Sequence, residues 1–223
     1  MTRGPGLLAR GPWTPEAVSC RWLEAPYQPD ADATDQADAA IAALQKRGSP
    51  THDGLAARLS GMTAEGGGLD LELQPARWSL RLGGDALDSI SALCVVRDHE
   101  GRWLAGRRAA WVATWAGRWA LGAGGSVEVG EHPATTLARE LEEEWSVTPE
   151  RLSAEGLVRI PSGLVLFVGM ATLAPGADVE MDSEHDEYAW WPPDPADWPE
   201  EADTPLRIMA GMLGSDNRTA TDG

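Results

Sequence analysis

Residues 133–145 place apolar side chains at Ala134, Leu137, Ala138, Leu141 and Trp145, with charged residues between them. Spacings of three and four follow the turn of an α-helix, so the segment predicts a helix that buries one stripe. Pro133 suits its first turn, where a missing N–H costs no hydrogen bond. Around this segment the pattern changes to short apolar runs bounded by turn residues. These predict strands at Ile90–Arg97, Arg102–Arg107, Arg118–Leu121, Ser126–Val129, Leu157–Ile160, Leu164–Ala171 and Glu187–Trp191. Asp98-His99-Glu100-Gly101 and Pro161-Ser162-Gly163 read as turns, and Pro205–Leu213 as a closing helix. The order predicts a mixed sheet flanked by helices, an α/β/α sandwich.

The front third has a different texture. Residues 1–30 are rich in Pro and Gly and read as extended or irregular, with a strand near Val18–Leu23. Ala31–Arg47 predicts a helix capped by Asp32 or Thr34 and stopped by Gly48. Leu55–Leu59 and Leu69–Leu73 predict strands around Gly66-Gly67-Gly68, and Trp78–Leu82 a third. Residues 1–85 are therefore expected to form a small α+β extension, 86–215 the main domain and 216–223 a flexible tail. Trp111, Trp115 and Trp119 recur every four residues, but Gly117 and the run after it predict a loop followed by a strand. These tryptophans read first as core and loop packing; the alternative is that one of them offers an aromatic face for stacking a nucleobase.

Composition narrows the function. With 18 basic against 35 acidic residues the formal net charge is −17, which argues against tight binding of a nucleic acid polymer. A small phosphorylated substrate stays open if a metal supplies local positive charge. The two cysteines, Cys20 and Cys94, fit no metal spacing, and Cys94 is expected as a buried small hydrophobe. No apolar stretch approaches the ~20 residues that span a membrane, and Leu7-Leu8-Ala9 is too short for a signal core. The expectation is a cytoplasmic protein.

The predicted helix carries Glu140, Glu143 and Glu144, three and four positions apart. Such carboxylates project from neighbouring turns and repel one another unless a hard divalent cation sits between them. Here the chain resembles the Nudix hydrolase family. Its box reads glycine, five residues, Glu, seven residues, Arg-Glu-apolar, one residue, Glu-Glu, one residue, Gly-apolar. Gly125, Glu131, Arg139, Glu140, Leu141, Glu143, Glu144 and Val147 stand in register, and Ser146 replaces the late glycine. That glycine usually takes a left-handed conformation, so Ser146 is expected to let the loop leave the helix differently. The resemblance covers roughly residues 90–192.

The resemblance implies a Nudix-type fold and a pyrophosphohydrolase that cleaves a nucleoside diphosphate linked to another group by water attack at phosphorus. It implies Mg²⁺ or Mn²⁺ held by Glu140, Glu143 and Glu144, with a backbone carbonyl of Gly124 or Gly125 as a further ligand. It makes Arg139 and Glu131 a structural salt bridge. The general base is a box glutamate or an acid of the loop Asp182–Tyr188, where Glu184 and Glu187 are the candidates. His185 reads as a surface histidine. Among Arg97, Arg107, Arg108 and Arg118, the pair Arg107-Arg108 is the leading candidate for the diphosphate. Nucleotide sugars and ADP-ribose lead as substrates, ahead of damaged nucleoside triphosphates. The readings kept beside it are a non-catalytic Nudix module that binds nucleotide or protein, and an isopentenyl-diphosphate-type isomerase, against which the lack of a cysteine in the box weighs. Expected partners are a small phosphorylated nucleotide and, left open, a second copy of the chain.

Overall fold

The computed structural model describes residues 4–83 and 85–214, so the expected tail at 216–223 lies outside the described residues. The main sheet is built from β1 (Gly6–Trp13), β5 (Ile90–Arg97), β6 (Trp103–Arg108), β7 (Trp119–Leu121), β8 (Ala123–Ser126), β9 (Arg151–Arg159), β10 (Val165–Thr172) and β11 (His185–Trp191). Its order is β1-β9-β10-β5-β6-β11, with β7 added to β6 and β8 to β5. β10 runs parallel to β5 while β9, β6, β8 and β11 join antiparallel, so the sheet is mixed.

Alternation along β5 explains the layering. Ala92, Cys94 and Val96 face one side, where they meet Leu137, Leu141 and Trp145 of α2 (Pro133–Trp145). Val95 faces the other, with Trp103, Val168 and Leu206 and Ala210 of α3 (Thr204–Gly214). A central strand that buries both faces requires an apolar run, as this one has. The result is a sheet between helices, as the order of elements predicts.

The front segment forms a second sheet, β2-β4-β3, from β2 (Val18–Trp22), β3 (Leu55–Glu65) and β4 (Gly68–Arg77). Leu59, Leu69, Leu71 and Leu73 of this sheet enter the same core as α2. Helix α1 (Ala31–Lys46) packs through Ala37 on Ala76 and Leu80. The segment also gives β1 to the main sheet by pairing with β9.

Several local expectations are corrected. Residues 6–13 form an edge strand, whose register shifts beside Leu7 and Arg10 accommodate its Pro and Gly. The cap of α1 is Asp30, which accepts from the Ala33 N–H at 2.8 Å, ahead of both expected residues, Asp32 and Thr34. The strand expected at Ser126–Val129 lies instead at Ala123–Ser126, because glycines let this backbone pair closely with β5. The third front strand is a 3₁₀ turn at Trp78–Leu82. Its amides turn inward, with Ser79 N–H and hydroxyl both donating to Asp53 at 3.0 Å. Ser146 takes φ 53° and ψ 36°, the left-handed conformation of the glycine it replaces, so the chain leaves α2 in the usual way.

Candidate active site

Helix α2 starts at Pro133 after His132, whose ring nitrogen accepts from the Ala134 N–H at 3.1 Å. With the apolar stripe buried, the four-residue spacing sets Glu140 and Glu144 on one flank, toward β8, where they are 8% and 4% exposed. β8 has no side chain at Gly124 and Gly125. A Cβ on Gly125 would lie 2.1 Å from Oε1 of Glu140, so only glycine lets that carboxylate rest on the strand. The Gly124 N–H donates to Glu144 Oε1 at 3.3 Å.

Arg139 organises the outer flank. Its Nε donates to Glu131 Oε1 at 2.9 Å and its Nη2 to Glu131 Oε2 at 3.2 Å, the paired geometry of a bidentate bridge. Nη2 also donates to the Ser126 carbonyl at 3.1 Å, tying helix to strand. Nη1 lies 2.8 Å from Glu140 Oε1 and 2.9 Å from Glu143 Oε2. Glu143 is thus held outward in solvent, while Glu142 is exposed on another face. Arg139→Ala is expected to lower stability by about 2–3 kcal/mol, through loss of charged hydrogen bonds. Urea unfolding checks this, and an unchanged midpoint would reduce the network to a solvated pair.

The acidic loop closes on the end of α2. Amides of Glu180 and Asp182 donate to the carbonyls of Trp145 and Glu144, each at 3.0 Å, capping the helix C-terminus. His185 is not a surface residue. It is 4% exposed, stacked 4.6 Å from Trp145, with Nδ1 3.2 Å from Asp182 and Nε2 3.8 Å from Glu144. Burial lowers its pKa. Arg108 lies 3.0 Å from Glu184 and 3.8 Å from Glu144.

Burial dominates the two inner carboxylates. It pushes Glu140 up to about 7, against the pull of Arg139 and with Glu143 and Glu184 adding to it. Glu144 is raised well above the carboxylate range by burial, with Arg108 opposing. A carboxyl with a raised folded pKa favours the folded state less as pH climbs, because the unfolded chain releases its proton first. For Glu140 that loss starts near 4.5 and is complete above about 7. In chelator, the Tm of Glu140→Gln relative to wild type is expected to rise across this window; calorimetry showing a flat or falling difference would refute the assignment.

These residues surround a cleft of about 450 Å³ lined by Gly124, Gly125, Glu140, Glu143, Glu144 and, across from α2, the Trp-rich loop. Among the described residues no three His, Cys, Asp or Glu side chains converge as a finished metal cage. The donors nonetheless fit a hard cation: Glu140 and Glu144 are both buried, and Glu144 Oε2 has no hydrogen-bond partner. Trp111 and Trp115 line the same cleft at 43% and 40% exposure, with Trp115 in left-handed backbone at φ 60° and Arg118 4.5 Å above its ring.

Of the expected phosphate and base candidates, Arg108 and Glu184 reach the cleft, and Arg107 and Glu187 do not. Strand alternation puts Arg107 on the opposite face of β6 from Arg108, where it pairs with Glu187 of β11 at 3.2 Å. Arg97 is bound to the Gly101 carbonyl and Arg118 to Asp203. The sequence reading missed Trp78 and Arg81, which line the cleft from the front segment. A strand would set positions 78 and 81 on opposite faces, whereas a 3₁₀ turn aligns residues three apart.

A model of the NUDIX domain matches residues 88–209, more than half of the chain. This chain belongs to the Nudix hydrolase family. Among solved structures, this Nudix chain is similar to a MutT protein of Methanosarcina mazei Go1 at 25% identity and TM-score 0.46, covering 58% of this chain and 95% of that one. A MutT Nudix hydrolase of Burkholderia pseudomallei is similar at 24% identity and TM-score 0.47, covering 56% and 97%. The Nudix domain of Shewanella oneidensis NrtR, solved with ADP ribose, is similar at 18% identity and TM-score 0.47, covering 57% and 86%. No curated protein matches the chain. No helix among the described residues is long and apolar enough to cross a membrane.

Proposed function

We propose that this Nudix protein is a divalent-metal-dependent pyrophosphohydrolase acting on a nucleoside diphosphate joined to another group, with a nucleotide sugar or ADP-ribose as substrate. The observation that carries the reading is the buried pair Glu140 and Glu144 beside Gly124 and Gly125, both lining the cleft, with Glu144 Oε2 lacking a hydrogen-bond partner. Glu140 and Glu144, joined by Glu143, would hold Mg²⁺ or Mn²⁺. When bound, the cation neutralises diphosphate charge and activates water for attack at phosphorus.

The residues of the chain supply the positioning that phosphoryl chemistry mainly needs. Arg139 and Glu131 fix the pitch of α2 against the strand. Glu184, held by Arg108 at the rim, is the proton acceptor offered by the acidic loop. Trp111 and Trp115 give apolar faces for a base, which would account for two large exposed aromatics at one opening.

The test is release of nucleoside monophosphate from ADP-ribose and a set of nucleotide sugars, with Mg²⁺, with Mn²⁺ and with chelator. Turnover that depends on added metal is expected. No turnover of any of them, with tight nucleotide binding, would favour the non-catalytic module instead.

A further inference from the structure

Arg81 stands outside the residues matched by the family model, 88–209, yet it lines the cleft. The turn that carries it is rigidly mounted. Trp78 N–H donates to the Gly54 carbonyl at 2.8 Å, its indole N–H to Ser126 Oγ at 3.0 Å, and Ser79 and Leu80 are buried between them. Asp53 takes Ser79 and is itself paired with Arg77. The guanidinium of Arg81 is aimed by Nη1, which donates to Ser91 Oγ at 2.9 Å, and its carbon lies 5.4 Å from the Trp78 ring.

Its other donors are unmet. Nε and Nη2 have no hydrogen-bond partner and no solvent contact. A buried cation with idle donors is costly, and proteins rarely keep one without an anion to meet it. Burial lowers its pKa to about 10, with the Glu140 carboxylate nearby pulling the other way but accepting no hydrogen bond from it, so it remains charged at neutral pH. Arg108, also in the cleft, is engaged by Glu184 and Glu144. The rest of the cleft's charge is negative, from Glu140, Glu143, Glu144, Asp182 and Glu184, which disfavours a diphosphate unless positive groups answer it.

We propose that the front segment completes the substrate site, with Arg81 donating to an oxygen of the bound diphosphate. The inference rests on the pyrophosphohydrolase reading for its ligand, but it concerns binding and is tested by binding. A guanidinium fork matches phosphate oxygens, and modest side-chain rotation turns its idle edge to the cleft. The front third then has a role: it delivers to the cleft a cation whose donors are not already taken by carboxylates.

The test titrates the full chain with ADP-ribose and, separately, inorganic pyrophosphate, following tryptophan fluorescence and calorimetry. Arg81→Met keeps the aliphatic stem and removes the charge, and Arg107→Met is the control on the other face of β6. Arg81→Met is expected to weaken both ligands by about tenfold to hundredfold, with Tm unchanged or raised because an unsatisfied buried charge is gone. Arg107→Met should bind as wild type does. Equal affinity of Arg81→Met and wild type, with or without a fall in Tm, overturns the proposal and leaves Arg81 structural. So does a wild-type chain that binds neither ligand. Should Arg81→Met not fold, Arg81→Lys carries the same comparison, with weakened binding expected from loss of the fork and unchanged binding overturning it. Weakened binding in a chain that turns nothing over would uphold Arg81 and sink the hydrolase reading alone.

Discussion

Glu144→Gln is expected to lower kcat by about 10²–10³-fold while the fold persists. Glutamine has nearly the same shape, so packing beside Gly124 survives. The carboxylate it replaces is buried, with one oxygen unpartnered and its pKa raised by burial. Removing such a group should leave Tm unchanged or higher at neutral pH, since the folded state no longer desolvates a charge. Loss of activity with retained stability separates a working carboxylate from a structural one. Near-normal turnover by a folded Glu144→Gln protein would overturn its assignment as a metal-holding group. Glu143→Gln is the companion variant, and also expected to lose turnover. Its carboxylate is exposed and bound by Arg139, so a much milder loss there would show that the buried pair carries most of the work.

Gly122→Ala is expected to destabilise the protein by about 4 kcal/mol, enough to leave little folded protein in a domain of ordinary stability. Gly122 has φ 61°, and a Cβ there would sit 1.9 Å from the backbone carbonyl oxygen of Cys94 in β5. Backbone cannot swing aside as a long side chain can. The same residue donates to Leu104 at 3.0 Å and accepts from the buried Trp145 indole at 3.0 Å. It therefore joins β5, β6 and the last turn of α2, and its displacement would move the helix that bears the carboxylates. Soluble yield and chemical unfolding of Gly122→Ala check this; a midpoint near wild type would mean that the strands separate more easily than their pairing implies.

The legible parts of the fold were those where local pattern and tertiary demand agree. Ile90–Arg97 is apolar on both faces because helices cover both sides of β5, and its strand bounds match the prediction. Pro133 and the stripe through Trp145 mark α2 for the same reason. Legibility failed where a partner outside the segment decides. The Pro- and Gly-rich residues 6–13 have no strand pattern of their own, yet β9 offers an open edge and they take it. Residues 78–82 look like a strand, but Asp53 draws in the amide and hydroxyl of Ser79 and turns the chain. Arg107 and Arg108 are equivalent by composition; only the pairing of β6 with β11 tells which one faces the cleft.

By itself the sequence determined the spacing of the box, because 3.6 residues per turn put Glu140, Glu143 and Glu144 on neighbouring turns beside a fixed apolar stripe. That Glu140 and Glu144 are buried while Glu143 is turned out to solvent was decided by the fold. Through the family resemblance the sequence also pointed to the Arg139–Glu131 bridge, whereas the close fit of Gly125 against the Glu140 carboxylate came only with the fold. The tertiary structure alone decided which groups the cleft contains. His185 is buried through its stack on Trp145, Glu187 is turned out to Arg107, and Arg81 arrives from a segment more than forty residues before Gly125. Helical spacing acts within a few residues and is written in the chain, whereas cleft walls come from elements whose encounter depends on sheet order and on a core they share.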